Sequence, residues 1–341
     1  MHESDMLPRA RGIAIIKKAR WALLAFFLLI PANLFGQMEI PLTIDENARF
    51  SASASSAYQF KSNIDGGGDV SIANYGIGVG GAAPLTDRAE IGVRMSYVRE
   101  EYNFSKDNGF LVQNPWGQIN HLDLTMRLGY KLTDQWSIGG GPVVQYAGED
   151  GANFGDSLMY GGIVSAVYRA NPDFKVGFGA GLFYRLEETR VFPSLIVDWK
   201  ISDRLRLGNS YRLGVTGPAG LELSYKLDEN WEVAAGGGAR SSRFRLDKDG
   251  PTPGGIGENS SWPVYARLSR KLGSVLHLDL YGGAAFGGKM KLQDSNGNDI
   301  RSIDYNTTPL LGFNLRAGFK NPFEKDPVDD NRSYRHEGSL P

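Results

Sequence analysis

The sequence predicts an all-β protein, a single antiparallel transmembrane β-barrel of about fourteen strands. Three observations lead to this prediction. Apolar and polar residues alternate at period two along most of the chain, which is typical of strands with one apolar face. Short turn sequences alternate with longer polar connections, as the two ends of such a barrel require. A basic and then apolar N-terminal segment is typical of exported proteins.

The first predicted element is an export signal over residues 1–36. Five Lys or Arg residues between positions 9 and 20 precede the apolar stretch WALLAFFLLIPANLFG. A basic region, an apolar region of roughly 7–15 residues and a cleavage site make up a secretory signal peptide, and we expect cleavage near Gly36–Gln37. The apolar run is shorter than the about 20 residues of a membrane-spanning helix. Residues 37–48 then form a short periplasmic segment.

Residues 49–319 are predicted to form the barrel. In the stretch LELSYKL, Leu221, Leu223 and Tyr225 face one way while Glu222 faces the other. The turn sequences KLTDQWSIG and KLDENWEVA separate strands of about 10–14 residues, which are longer than sandwich strands and suit a tilted membrane strand. We expect the extracellular loops in the longer polar connections at 105–117, 147–156, 246–260 and 291–304.

Aromatic residues cluster beside the short turns. Transmembrane barrels carry aromatic girdles at the membrane interfaces, because aromatic rings prefer the headgroup boundary. A soluble β-sandwich would also alternate, but it would not place aromatic residues at this height. The predicted girdle consists of Tyr130, Trp136, Phe174, Trp199, Tyr225 and Trp231.

The last predicted strand, PLLGFNLRAGF, ends at Phe319. It resembles the C-terminal assembly signal of bacterial outer-membrane barrels, which ends in an aromatic residue. Residues 320–341 follow it here, which departs from the usual pattern. This segment is polar, of mixed charge and contains proline, so we predict a disordered tail.

The chain as a whole resembles a family of bacterial outer-membrane β-barrel proteins catalogued only as a domain of unknown function. The resemblance covers roughly residues 50–319, through YKLTDQWSIGGGPVVQY, VFPSLIVDWKISDRLRLGNSYRLGV and GLELSYKLDENWEVAAGGGARSSRFRL. It implies the barrel fold and a location in the outer membrane of a Gram-negative bacterium. The resemblance carries no known catalytic or binding chemistry, so it leaves the activity open.

Composition excludes several classes of function. The chain has no cysteine, so disulfides and thiolate metal sites are ruled out. Its net charge of −1 does not suggest a nucleic-acid partner. Gly76, Gly78 and Gly81 match the dinucleotide-binding spacing, but a turn and a strand follow them where a phosphate-binding helix would have to begin. We predict no cofactor and no metal.

The sequence HLDL occurs twice, at 121–124 and 277–280. His and Asp two residues apart on a strand project to the same face, here the lumen. We expect the two pairs to differ in height by about 20 Å, so that they cannot form one site. His121 and Asp123 lie at the outer rim, where a His–carboxylate pair could act as a general base or bind a metal. No nucleophile can be identified from spacing, and polar lumen contacts are the alternative.

Charged residues of both signs fall on the predicted inner face. They could fill the lumen as ion pairs, or form an arginine-rich passage for anionic or polar solutes, because charged rings set pore selectivity. The predicted solute path comprises Arg94, Arg127, Arg206, Arg212, Arg240, Arg267, Arg316, Asp123, Asp198, Glu222 and Asp279.

These observations predict a narrow channel for passive uptake of small polar or anionic solutes. Two other hypotheses stay open, an outer-membrane hydrolase that uses the rim His–Asp pair, and a structural or partner-binding barrel without transport. The expected partners are the lipid bilayer, lipopolysaccharide and the outer-membrane assembly machinery.

Overall fold

A computed structural model describes residues 49–105, 109–110, 114–209 and 219–320. The predicted signal peptide, the periplasmic segment 37–48, Arg212 and the tail from 321 onward lie outside the described residues. The strands are β1 (Arg49–Asn63), β2 (Asp69–Thr86), β3 (Ala89–Phe104), β4 (Gln118–Lys131), β5 (Trp136–Glu149), β6 (Leu158–Asn171), β7 (Phe174–Tyr184), β8 (Thr189–Lys200), β9 (Leu205–Asn209), β10 (Ala219–Lys226), β11 (Trp231–Arg245), β12 (Ile256–Leu272), β13 (Leu276–Gln293), β14 (Asp299–Tyr305) and β15 (Thr308–Lys320).

The strands form one closed ring. Neighbours in sequence pair antiparallel from β1 to β13, and β15 closes the ring by pairing with both β13 and β1. The short strand β14 pairs with the end of β13 beyond β15, so β14 and β15 together occupy one position in the ring. The result is a closed antiparallel barrel of 14 strands, which confirms the predicted fold class.

The repeated turn motif has a common hydrogen bond. In four of the short turns, a Thr, Ser or Asp side chain accepts a hydrogen bond from the backbone N–H three residues later. The acceptors are Thr86, Thr133, Ser202 and Asp228, at 3.0, 3.0, 3.1 and 2.8 Å. Such side chains stabilise turns by replacing a backbone partner. The short turns share one end of the barrel with both ends of the described chain, and we call it the inner end.

The exterior of the barrel is apolar. On β4 the side chains of Leu122, Leu124 and Leu128 are exposed, while His121 and Arg127, which point to the opposite face, are buried. Exposed apolar side chains recur on the outward face around the ring. A continuous apolar exterior would be unstable in water and matches the hydrocarbon core of a bilayer. No helix in the described parts of the chain is long and apolar enough to cross a membrane.

Leu124→Arg is therefore expected to destabilise the barrel by about 2–4 kcal/mol if this position lies near the bilayer midplane, because a charge there must leave water. The measurement is the folded fraction after refolding into lipid vesicles, read from heat-modifiable gel migration. Asp134→Arg, in the inner turn after the same strand, is the control and should fold normally. Equal folding of both variants would contradict the lipid-facing assignment of β4.

At the outer end, the barrel does not stay open. Residues 241–245 of β11 and 256–261 of β12 are buried on both faces, unlike any ordinary wall strand. Arg245 forms a parallel bridge with Gly148 of β5, which belongs to the opposite side of the ring. We call residues 239–261 the β11–β12 hairpin. It folds inward and crosses the outer mouth, although the sequence placed an extracellular loop at 246–260.

The bend of the β11–β12 hairpin coincides with irregular pairing. The register between β12 and β13 shifts between Ser260 and Trp262. On the neighbouring strand, Gly287 has a φ of 57°, a left-handed conformation that glycine adopts without steric cost. Bulges of this kind increase the local twist of a strand and turn it out of the sheet.

An apolar cluster fills the space beneath the outer connections. Trp116 is 1% exposed, and its ring lies 5.5 Å from the ring of Phe244 in the hairpin and 5.0 Å from that of Phe110. Tyr102 and Phe104 of β3 pack against the same indole at 5.9 and 5.5 Å. The hairpin therefore has its own hydrophobic core inside the barrel, which favours the inward position.

Candidate functional site

The candidate site is the barrel interior, because most of the buried charge lies there. The predicted solute-path residues within the described part of the chain occupy inward-facing strand positions. These residues are Arg94, Arg127, Arg206, Arg240, Arg267, Arg316, Asp123, Asp198, Glu222 and Asp279. Their contacts divide them among separate clusters.

The Arg267 cluster lies on β10 to β15 toward the inner end. Arg267 is fully buried and contacts Glu222 at 2.6 Å, Glu232 at 2.7 Å and Asp279 at 3.5 Å. Arg316 of β15 donates to the second oxygen of Asp279 at 3.0 Å. One guanidinium thus bridges three carboxylates from three strands, and it links these strands on one side of the barrel wall.

Other inward arginines also have acidic partners. Arg127 is bonded to Glu90, which is 1% exposed. Arg206 contacts Asp198 at 2.7 Å, and Asp198 also accepts from Lys175 at 3.4 Å. These pairs support the hypothesis that ion pairs fill the lumen, over the hypothesis of an arginine-rich passage. Glu90 was not predicted, since sequence spacing does not show which carboxylate an arginine will meet.

The Glu100 cluster lies where the β11–β12 hairpin crosses the lumen and joins the hairpin to the opposite wall. The carboxylate of Glu100 is completely buried and accepts hydrogen bonds from Arg240 at 2.6 Å, Tyr102 at 2.8 Å and Ser242 at 3.1 Å. Arg240 also donates to Asn74 of β2 at 2.7 Å. Arg240 and Ser242 belong to the β11–β12 hairpin, whereas Glu100 and Asn74 belong to the opposite wall. These bonds tether the hairpin in its inward position.

A second tether holds the outer turn between β7 and β8. Leu186 and Glu187 in this turn have positive φ values of 47° and 69°, a conformation that side chains disfavour. Arg243 of the hairpin donates to the carbonyls of Arg185 and Leu186 at 3.1 and 2.8 Å. The Leu186 side chain is buried in the apolar cluster. The hairpin contacts thus hold this strained turn in place.

His121 and Asp123 both face the interior, as the sequence predicted. His121 Nε2 lies 3.3 Å from Ser242 Oγ and 3.7 Å from Glu100 Oε2. In a nucleophile–histidine–carboxylate triad the two partners use opposite ring nitrogens, whereas here both approach Nε2. Asp123 accepts from Gln145 at 2.5 Å. The contact with Ser242 joins positions 121 residues apart, so no sequence pattern could have found it.

The second HLDL pair belongs to the other cluster. His277 pairs in register with Arg316, and Asp279 binds Arg267 and Arg316. The structure therefore separates the two His–Asp pairs, as their predicted heights require. No group of three or more His, Asp or Glu side chains in the described ranges is placed to hold a metal ion.

The predicted girdle residues lie on the outward face beside the inner turns. Phe174 and Trp199 form an edge-on pair at 5.7 Å, and the Arg270 guanidinium lies 4.9 Å above the ring of Trp231. Tyr130, Trp136 and Tyr225 are exposed. An interfacial position suits these rings, because one edge can meet lipid and the other water.

A closed antiparallel barrel with an apolar exterior, a polar interior and short turns at one end defines an outer-membrane β-barrel protein of a Gram-negative bacterium. Its exterior contacts the lipid bilayer. The particular family follows from the sequence: residues 86–320 match the family model described as a domain of unknown function, DUF6268. The chain belongs to that family, which confirms the resemblance described above.

Several solved structures are similar in fold. An outer-membrane channel from Pseudomonas putida F1 is 12% identical, with 85% of this chain and 100% of that chain covered and a TM-score of 0.47. A Pseudomonas aeruginosa FadL homologue is 16% identical, with coverages of 81% and 90% and a TM-score of 0.45. The toluene transporter TbuX of Ralstonia pickettii is 8% identical, with coverages of 81% and 90% and a TM-score of 0.40. A search of curated proteins found no match.

Proposed function

We propose that this protein is a narrow outer-membrane channel for small polar or anionic solutes, and that the β11–β12 hairpin holds it closed in the present conformation. One observation carries the proposal: the closing element is a single hairpin, tethered across the lumen mainly through the buried Glu100 cluster. A barrel whose only role is structural has no need of a separate polar closure inside its wall.

We infer that part of the inner lumen wall borders the path once the hairpin moves. Small residues line long stretches of its wall, including Ser53 and Ser55 on β1 and Gly76 and Gly78 on β2. Missing side chains leave space next to the barrel axis. The hairpin is the element that this proposal requires to be displaced.

A preference for anionic over cationic solutes would come from the inward arginines. Arg206 is the most exposed of them, with 61% of its side chain accessible, so it can meet a passing solute. Arg240 and Arg267 are engaged with carboxylates in the closed state. Moving the hairpin would separate Arg240 from Glu100 and expose both charges along the path. Arg212 was predicted for the same role and lies outside the described residues.

A disulfide lock tests the proposal. The chain has no cysteine, so Gly148→Cys with Arg245→Cys introduces one unique pair at the bridge between β5 and β11. We expect wild-type protein in planar bilayers to show brief conductance steps, the oxidised double variant to be silent, and reductant to restore the steps. Ladder neighbours lie within the Cα separation that a disulfide accepts.

The single variant Arg245→Cys is the matched control, because it removes the same hydrogen bonds without forming the lock. Conductance that persists in a fully oxidised, folded double variant would remove the hairpin as the closing element. Folded wild-type protein that never conducts would remove the channel itself and favour the partner-binding barrel. We propose that lipopolysaccharide contacts the outward face of the barrel in the outer leaflet. We propose that the assembly machinery binds strand β15.

A further inference from the structure

Every second strand from β4 to β12 carries a basic residue where it reaches the inner turns. In four of these strands the basic residue directly follows an aromatic residue of the outward face, and in β12 it follows Arg270, which lies over the ring of Trp231. Neighbouring residues of a strand point to opposite faces, so each residue at the lipid interface is followed by a cation on the lumen side. We call these basic residues the inner-mouth cations: Lys131, Arg169, Lys200, Lys226 and Lys271.

The inner-mouth cations lie at one height in the barrel. Each of them donates its backbone N–H to a carbonyl of the preceding inner turn, at 2.7 or 2.8 Å. Neighbouring strands are about 4.8 Å apart, so cations on every second strand follow one another at about 10 Å along the rim. Salt screens charges over about 8–10 Å under physiological conditions, so the fields of adjacent cations overlap.

Four of the five inner-mouth cations have no acidic partner among the described residues. Lys200 pairs with Asp203 at 2.7 Å. No described carboxylate lies within ion-pair distance of the other four, and three of these four are exposed to water. Glu232 is the register partner of Lys226, but its carboxylate is bound to Arg267 at 2.7 Å. The mouth therefore differs from the interior, where the inward arginines meet carboxylates.

Between β4 and β12, the lumen-facing side of the mouth holds more cations than carboxylates. Lys175 and Arg206 lie beside the inner-mouth cations in register and share Asp198, at 3.4 and 2.7 Å. With the five inner-mouth cations this makes seven positive side chains, against the carboxylates of Asp198 and Glu232. The balance on the lumen side of this arc is positive.

Carboxylates also occur in the inner turns, beyond the strand ends. Asp203 is paired with Lys200, and Asp228 accepts the backbone N–H groups of Asn230 and Trp231 within its own turn, at 2.7 and 2.8 Å. Both acidic residues are exposed to water. A mouth with an apolar wall focuses the field of charges that line it, whereas water and salt weaken the field of charges in exposed turns.

We propose that the inner-mouth cations form an anion-attracting arc that sets the solute preference of the barrel, favouring small anions with two or more charges, such as dicarboxylates and phosphate esters. Attraction by a potential depends exponentially on the charge of the solute, so an enrichment of about tenfold for a monoanion becomes about a hundredfold for a dianion. The solute preference rests on the proposed channel, whereas the potential at the mouth does not.

A cysteine placed beside the inner-mouth cations measures this potential. The chain has no cysteine, and Ser137 on β5 is the register partner of Lys131. The probes are two methanethiosulfonate reagents, one with a sulfonate and one with a trimethylammonium group, applied to folded Ser137→Cys protein in neutral detergent. Their rate ratio, divided by the ratio for β-mercaptoethanol, cancels differences in thiolate fraction. We expect about a tenfold preference for the anionic reagent at low salt. The preference should vanish near 1 M salt, where the screening length is about 3 Å.

Lys131→Gln with Arg169→Gln in the Ser137→Cys protein should remove most of this preference. The matched control is Lys61→Gln with Lys248→Gln, which removes the same charge from exposed side chains at the outer end and should leave the preference unchanged. A rate ratio near one in the folded Ser137→Cys protein at low salt would overturn the proposal, and so would equal effects of the two double variants. If the first double variant does not fold, the salt dependence of the Ser137→Cys protein decides.

Failure of this inference can be told apart from failure of the channel, because the labelling rates require no conductance. A barrel that never conducts but prefers the anionic reagent would remove the channel and keep the positive mouth. A barrel that conducts but labels equally with both reagents would keep the channel and remove the inner-mouth cations as the source of its solute preference.

Discussion

Arg267→Met is expected to lower the free energy of unfolding by about 3–5 kcal/mol, because removing one partner leaves buried charges without compensation. The Arg267 side chain is 0% exposed, and the side chains of its partners Glu222 and Asp279 are 8% and 0% exposed. Methionine fills the volume but offers no donor to these carboxylates. The measurement is denaturant unfolding of the refolded protein in detergent, followed by tryptophan fluorescence.

Arg206→Met is the matched control for this prediction. Arg206 contacts Asp198 at 2.7 Å, as close as the best contacts of Arg267, but its side chain is 61% exposed. Water screens an exposed pair, so its loss should change the free energy of unfolding by about 0–1 kcal/mol. Similar effects of the two substitutions would show that burial does not set the strength of these pairs.

Glu100→Gln is expected to release the β11–β12 hairpin. The substitution removes the charge that holds Arg240 at 2.6 Å and weakens the bonds from Ser242 and Tyr102. The Glu100 cluster stabilises the closed conformation, and we expect the substitution to reduce this stabilisation by about 3 kcal/mol. The ratio of open to closed channel then rises by roughly a hundredfold, since each 1.4 kcal/mol is a factor of about ten. Single-channel recording of open probability measures this ratio directly.

Glu101→Gln is the control on the neighbouring residue. Glu101 alternates to the opposite face of β3, is bonded to Arg99 at 2.8 Å and has a side chain that is 43% exposed. Its loss should leave the open probability unchanged. An increase with Glu101→Gln, or none with a folded Glu100→Gln variant, would contradict the role assigned to the Glu100 cluster.

Much of the architecture could be predicted from local pattern. Alternation on β4 placed Leu122 and Leu124 outward and His121 and Asp123 inward, and the structure agrees. The turn motif around Thr133 could be recognised because its hydrogen bond joins residues three apart. Such features are short-range, so the order of residues along the chain contains them in full.

The site could be predicted only in part. The sequence identified inward arginines such as Arg240, but not Glu100, although both are inward residues of alternating strands. The segment VREEYNF places Arg99 and Glu101 on one face and Glu100 on the other, and nothing local shows that an arginine 140 residues later will reach it. Pairing across a lumen depends on the closed ring and on which strand lies opposite.

The sequence by itself determined the strands, the faces they present, the short turns and the aromatic residues beside them, because each depends on neighbours within a few positions. Only the tertiary structure decided that residues 239–261 fold inward, since their burial comes from contacts with the opposite wall that no local pattern contains. The closure and the Glu100 tether both follow from that long-range contact. Whether the lumen is open is therefore a property of the assembled ring and not of any segment of it.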